Sequence, residues 1–219
     1  MPKLTRILLL IGLLIAASIA LEVGATSSRI DVLHVKGTIN PVLVDYIKRG
    51  IDRADEDNAI ACIIQLDTPG GLDTAMRDIV KDIVNAQVPV VVYVSPSGAR
   101  AASAGVFITM SAHVAAMAPN TAIGAAHPVA IGTEGEAKMS EAMEEKVVND
   151  AAAYIRSIAS AHGRNIEWAE KAVRESVSAT EQEALELNVI DMVASDLDAL
   201  VAQLDGRQVT MLNLSLIHI

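Results

Sequence analysis

The chain has 219 residues, 52% of them hydrophobic and only 2% aromatic, and carries a net charge of −10. That length supports one main buried core. The acidic balance and scarce rings exclude a basic face for phosphates and a stacking surface for bases, so nucleic acid is not an expected partner.

Residues 1–25 open with Lys3 and Arg6, run through the apolar stretch Ile7 to Ala17, and offer small-residue cleavage patterns at Ser18-Ile19-Ala20 and Val23-Gly24-Ala25. This is the pattern of a secretory signal peptide or, if uncleaved, of an N-terminal membrane anchor. Ile7 to Leu21 falls short of the about 20 apolar residues that span a bilayer. Either form places the rest of the chain at the periplasmic or extracytoplasmic face of the membrane, away from acyl-CoA and ATP.

From 29 to 205, β-branched runs alternate with stretches of helical period, the pattern of βαβ units around a mainly parallel sheet, hence an α/β domain. The first strand is Ile30 to Val35. Asn40 then caps a helix with Pro41 at its first position, running to about Ala54. Strand Ala59 to Leu66 leads into Thr68-Pro69-Gly70-Gly71, which turns the chain into a helix from Leu72 to about Asn85. The lone cysteine, Cys62, lies within that strand; with no second cysteine it forms no internal disulfide, and it reads as a small buried hydrophobe. Val88 to Val94 is a continuous apolar strand of the kind buried on both faces. Small residues from Ser97 to Ala104 precede a short helix, Gly105 to Met110, and a strand, His113 to Met117.

Ala125 to Glu145, dominated by Gly, Glu and small residues, reads as a mobile loop, with a helix resuming from Val147 to Ala161. Thr180-Glu181-Gln182-Glu183 is a capping-box start for a helix ending near Asn188; Val189 to Ala194 is the last strand and Asp196 to Leu204 the last helix. Residues 206–219 form a tail. Within it, Leu214 to Ile219 breaks the acidic register before it and matches one translation of a common transposase-type sequencing adapter. A foreign end is therefore expected, with the natural chain continuing past about Asn213.

Two segments carry chemistry. Asp67 to Gly71 sits at a strand's carboxyl end, where two glycines permit positive φ and leave backbone N–H groups open to an oxyanion; an ordinary strand-to-helix turn uses the same residues. Gly98 to Gly105 sets one hydroxyl, Ser103, among side chains of minimal bulk, although a serine at a helix start is also a common cap.

These segments recur together as Asp-Thr-Pro-Gly-Gly at 67–71, Ala-Ala-Ser-Ala-Gly at 101–105, Ala-Pro-Asn-Thr-Ala-Ile-Gly-Ala-Ala-His-Pro at 118–128 and Lys-Val-Val-Asn-Asp-Ala at 146–151. From about Ile30 to Leu204 the chain resembles the ClpP and signal-peptide-peptidase superfamily, most closely the NfeD-type membrane serine proteases encoded beside stomatin-like proteins. The resemblance implies a ClpP/crotonase-like fold of repeated ββα/βαβ units. It also implies an extracytoplasmic endopeptidase that cleaves apolar segments of membrane-associated, stomatin-like partners, works as a homodimer or higher homo-oligomer, and needs no cofactor or metal.

Carried onto this chain, the resemblance makes Ser103 the nucleophile, Lys146 the general base, and the Gly71 and Ala104 N–H groups the oxyanion donors, with substrate adding as a strand beside Gly70 and Gly71. A lysine base must shed its proton near neutral pH, so its reference pKa near 10.4 must fall by about 3 units, roughly 4 kcal/mol of differential stabilisation. Glu144 and Glu145 would hold that proton on if close, so they are expected to face solvent while Lys146 turns inward. His127 is the alternative base, needing no large shift but lacking an acid to orient it. His34 and His113 read as strand residues and His162 as a helix-end residue before Gly163. Two further readings stay open: a catalytically inactive scaffold that binds stomatin-like proteins, and a crotonase-like acyl-CoA enzyme, against which export argues.

Overall fold

The computed structural model describes residues 29–129, 140–211 and 216–219. The first half runs β1 (Ile30–Lys36), α1 (Pro41–Glu56), β2 (Ala61–Asp67), α2 (Asp73–Val84), β3 (Val90–Val94), β4 (Arg100–Ala102), α3 (Ala104–Met110), β5 (Val114–Met117) and β6 (Ala122–Gly124). The second half runs α4 (Glu141–Ala161), α5 (Ile166–Arg174), β7 (Ser178–Thr180), α6 (Glu181–Glu186), β8 (Met192–Val193), α7 (Leu197–Leu204), β9 (Gln208–Thr210) and β10 (Leu216–His218).

Five strands form a parallel sheet in the order β1-β2-β3-β5-β8. Its central strand, β3, is buried throughout, which is why Val90 to Val94 show no polar alternation. The one polar tip there, the Tyr93 hydroxyl, donates to the Ala194 carbonyl at 2.9 Å. One face of the sheet packs against α1 to α5 in a core containing Leu66, Ile79, Val92, Phe107, Ile155 and Trp168. The other face carries a smaller core, Ile63 and Val91 against Leu200, Leu204 and Val209. The α/β class and the mainly parallel sheet are those the sequence pattern predicts.

A second sheet, β4-β6-β7, pairs β6 parallel to β4 and antiparallel to β7. Single bridges, Thr68 with Ala101 and Ile39 with Gly71, tie the segment after β2 to its neighbours. Strands of three residues are too short to display a period of two, so this sheet is silent in the sequence pattern. Helix α5, to which the sequence pattern assigns no element, is capped by Asn165, which accepts the Trp168 N–H, and its apolar face buries Trp168, Ala169, Ala172 and Val173.

The helix expected from Val147 begins six residues earlier, at Glu141. Ser140 accepts the Met143 N–H as N-cap, and Glu141 and Glu144 in the first turn complement the positive end of the helix. Of the segment expected to be a mobile loop, residues 130–139 lie outside the described residues. Residues Ala125 and Ala126 before them donate to the Val177 and Ala172 carbonyls, each at 2.9 Å. The expected signal or anchor at 1–25 also lies outside the described residues. Among the described residues no helix is long and apolar enough to cross a membrane. Leu216 to His218, within the stretch expected to be foreign, pairs antiparallel with β9.

Candidate active site

The turn after β2 is built around glycines that nothing else can replace. Gly70 has φ +118°, and a Cβ there would stand 2.7 Å from the Ser103 Cβ and 3.0 Å from its Oγ. A Cβ at Gly71 would collide with the Ile39 carbonyl oxygen at 2.1 Å. The fully buried Thr68 holds the turn from within, its Oγ1 accepting the Gly70 N–H at 3.0 Å. Missing side chains thus let two backbone segments and a serine share one small volume.

Ser103 comes directly after β4 and before α3. Its backbone is strained, φ 52° and ψ −114°, a region that L residues occupy only when the surroundings enforce it. Here the surroundings do: the Ser103 N–H donates to the Gly124 carbonyl at 3.1 Å, and the Ala102 N–H to the Thr68 carbonyl at 3.1 Å. The ordinary alternative for a serine at this position, an N-cap, does not apply, because its side chain makes no capping hydrogen bond. Among the described residues its Oγ has no hydrogen-bond partner, and the N–H groups of Gly71 and Ala104 donate to no backbone carbonyl. For Ala104 the first turn of α3 supplies no acceptor. For Gly71, the bridge to Ile39 uses the flanking groups instead: the Ile39 N–H donates to the Gly70 carbonyl at 2.8 Å and the Leu72 N–H to the Ile39 carbonyl at 3.0 Å.

These residues line a groove of about 950 Å³ whose walls include Ser103, Ala104, Gly71, Lys146, His127 and Asp150. Met76, Phe107, Met143 and Val147 make much of it apolar. The structure therefore brings the sequence-predicted residues to one site, with one correction. Lys146 is exposed, not turned inward. Starting α4 at Glu141 gives its buried positions to Ala151, Ala152 and Ile155, which leaves residue 146 on the groove-side flank of the helix. Among the described residues Lys146 makes no ion pair.

Glu145 is exposed, as expected of it. Glu144, though over half exposed, has Oε1 4.0 Å from the His127 Nε2 and so leans toward the groove. His127 Nδ1 lies 2.9 Å from the Val173 carbonyl oxygen. Because a carbonyl only accepts, Nδ1 carries the proton, and the free lone pair of the neutral ring is on Nε2.

The other predicted residues fall outside the groove. Cys62 is fully buried in β2, and burial pushes its thiol up to about 12, far from reactivity. His34 is exposed on β1. His162 is the C-cap of α4, and its ring meets that of His113 edge-on at 6.3 Å.

What sequence reading missed is a charged cluster on the groove wall. Arg77 on α2 bonds Asp73 through Nε at 2.8 Å and Asp150 on α4 through its other arm. Its guanidinium also stacks over the Tyr154 ring, 4.5 Å from the centroid, and Tyr154 stacks on Phe107 of α3 at 5.9 Å. Half of this was readable, since Asp73 and Arg77 stand four apart on one helix; the link to Asp150 spans 73 positions and shows only in the fold.

The chain is similar to known proteins in sequence and in fold. Over 177 residues, 81% of this chain, it is 42% identical to the "Membrane-bound protease PH1510" of Pyrococcus horikoshii, of whose length it spans 40%. Two solved forms of the 1510-N membrane-bound stomatin-specific protease share its fold. A lysine-to-alanine mutant in complex with a substrate peptide has a TM-score of 0.81 and 37% identity, covering 88% of each chain. A serine-to-alanine mutant has a TM-score of 0.77 and 39% identity, covering 83% of this chain and 87% of that one. ClpP1 from Listeria monocytogenes, at 20% identity, shares the fold alone, with a TM-score of 0.61 over 77% of this chain and 94% of its own. The NfeD1b N-terminal domain model matches residues 29–209, and the chain belongs to that family.

Proposed function

We propose that this domain is a serine endopeptidase that works through a Ser103–Lys146 dyad. The observation that carries the proposal is Ser103 itself: an uncapped hydroxyl on a strained backbone, touching the Gly70 turn, beside two N–H groups without backbone acceptors, in a groove shared with an unpaired lysine. In this reading neutral Lys146 takes the Ser103 proton as Oγ attacks a peptide carbonyl, and the Gly71 and Ala104 amides hold the oxyanion. The amine leaves with that proton and water hydrolyses the acyl-enzyme. Lys146 is exposed here, so the desolvation that favours its neutral form arises when substrate fills the groove. The apolar groove walls support an apolar peptide segment as substrate. The stomatin specificity in the relative's name supports a stomatin-like membrane protein, met at the extracytoplasmic face and processed by a homo-oligomer. Extended substrate would pair beside Gly70 and Gly71 on the edge that Ile39 leaves free.

A second reading makes His127 the base, favoured by the lone pair that its bond to Val173 leaves on Nε2. A fluorophosphonate probe separates these readings. The dyad requires labelling of the wild type that disappears in both Ser103→Ala and Lys146→Ala. Labelling that survives Lys146→Ala but vanishes in His127→Ala moves the base to His127. Absence of labelling with intact binding to a stomatin-like protein makes the domain a scaffold, and turnover of an acyl-CoA thioester would instead make it crotonase-like.

A further inference from the structure

The carboxylate of Asp150 lies one helical turn beyond Lys146, on the same groove wall. In an isolated helix such an i, i+4 pair would form an ion pair and hold the lysine protonated. It does not form here, because Asp150 is claimed from across the groove by Arg77. The guanidinium that claims it is itself fixed three ways: by Asp73 at 2.8 Å, by Asp150, and by the face of Tyr154. Tyr154 in turn stacks on Phe107. The chain Arg77–Tyr154–Phe107 therefore ties together three helices, each of which follows or carries one component of the site. Helix α2 follows Gly71, α3 follows Ser103, and α4 carries Lys146 in its second turn.

The geometry points to Arg77 as a positioning residue for the reaction: by engaging Asp150 and stacking on Tyr154 it fixes α4 against α2 and α3, and keeps the carboxylate away from Lys146 so that the amine can lose its proton. This deepens the proposed function and rests on Lys146 being the base. The titratable and charged groups that line the groove with Lys146 are Asp150 on its own helix, Asp73 and Arg77 from α2, and His127 from the segment after β6; Glu144 and Glu145 precede it on α4 and are exposed. Only Asp150 combines the helical spacing with a partner that removes it. Lysine in place of Arg77 would keep a charge but lose the fork that serves two carboxylates and the flat face that stacks.

The test is the pH profile of the fluorophosphonate labelling rate on the full chain. In Arg77→Met the freed Asp150 stabilises the ammonium form, so the acid limb moves up by about 0.2–0.4 of a pH unit, and labelling below the limb slows by roughly twofold. Adding Asp150→Asn returns the limb to its wild-type position, and Asp150→Asn alone leaves it there. A limb that stays displaced in the double variant overturns the inference, because Arg77 would then act through its own charge. So does a limb that never moves while only the plateau falls, which is the signature of a merely structural role. If Arg77→Met does not fold, Arg77→Lys supplies the readout: one ammonium cannot serve both Asp73 and Asp150, so the limb is expected to move in the same direction and to return when Asp150→Asn is added, and a limb that stays in place overturns the positioning role. Labelling that persists in Lys146→Ala shows separately that the base assignment, rather than the Arg77 inference, has failed.

Discussion

Gly70 shows how much of the site rests on an absent atom. Its φ of +118° lies where only glycine is at ease, and the space a methyl group would need is filled by the Ser103 side chain at 2.7 Å. Gly70→Ala is therefore expected to displace Ser103 and strain the turn, destabilising the domain by about 2–3 kcal/mol. Labelling should fall by more than the loss of folded protein explains; a urea titration paired with labelling at a concentration where the variant is folded distinguishes the two. The close backbone approach around Gly70, Gly71 and Ser103 was legible in the sequence, because small residues and paired glycines announce it, whereas the roles given to Ser103, Gly71 and Ala104 came from the resemblance. The exposure of Lys146 was not legible, since it depends on where α4 begins, and the resemblance that named the residue says nothing of its burial.

At the scale of elements, the informative case is α4. Its start hangs on Ser140, whose Oγ accepts the Met143 N–H six positions before the proposed base. Ser140→Ala removes that bond at a cost of about 1 kcal/mol. Most of the loss falls on the first two turns, which end near Lys146. The expected result is a small drop in the unfolding midpoint together with faster hydrogen exchange at residues 143–147 and a several-fold slower labelling. Equal exchange rates in variant and wild type would show that the cap does not hold this end. Long elements such as α1 and β3 could be read from caps and periodicity: Asn40 and Pro41 mark the start of α1, and the unbroken Val90–Val94 run marks a strand buried on both faces. The sheet β4-β6-β7 could not, because three-residue strands are defined by partners far along the chain rather than by their own pattern.

Across the whole molecule, the groove at the carboxyl ends of the strands is balanced by a buried polar network near the start of β5. Arg164, with a side chain only 3% exposed, donates to the Met110 and Ala112 carbonyls at 2.9 and 3.0 Å and to Asp191 at 2.7 Å. His113 accepts the Val90 N–H through Nδ1 at 3.1 Å. Burial, and next the Arg164 charge, lower both His113 and His162 to about 4. A histidine whose folded pKa lies below its unfolded value near 6.5 binds fewer protons when folded. Its stabilising contribution is complete above about pH 6.5 and is lost as the pH falls toward 4. Allowing for partial exposure, the pair should lose on the order of 3 kcal/mol over that window. Urea midpoints measured between pH 7 and 4.5 should fall less steeply in His162→Asn than in the wild type; parallel slopes would show that His162 does not contribute. This network was invisible beforehand, because it joins residues from His113 to Arg207 that are neighbours only once β5 and β8 pair.

The bridge between Ile39 and Gly71 has a consequence for traffic through the groove. Ile39 already occupies one hydrogen-bonding side of residues 70–72, so this rail has room for a single visitor, arriving from the other side. A hairpin or a folded domain has no second berth there. In the strand pairing proposed beside Gly70 and Gly71, a polypeptide would present one stretched strand at a time, and whatever occupied that berth, product included, would shut out the next arrival until it departed.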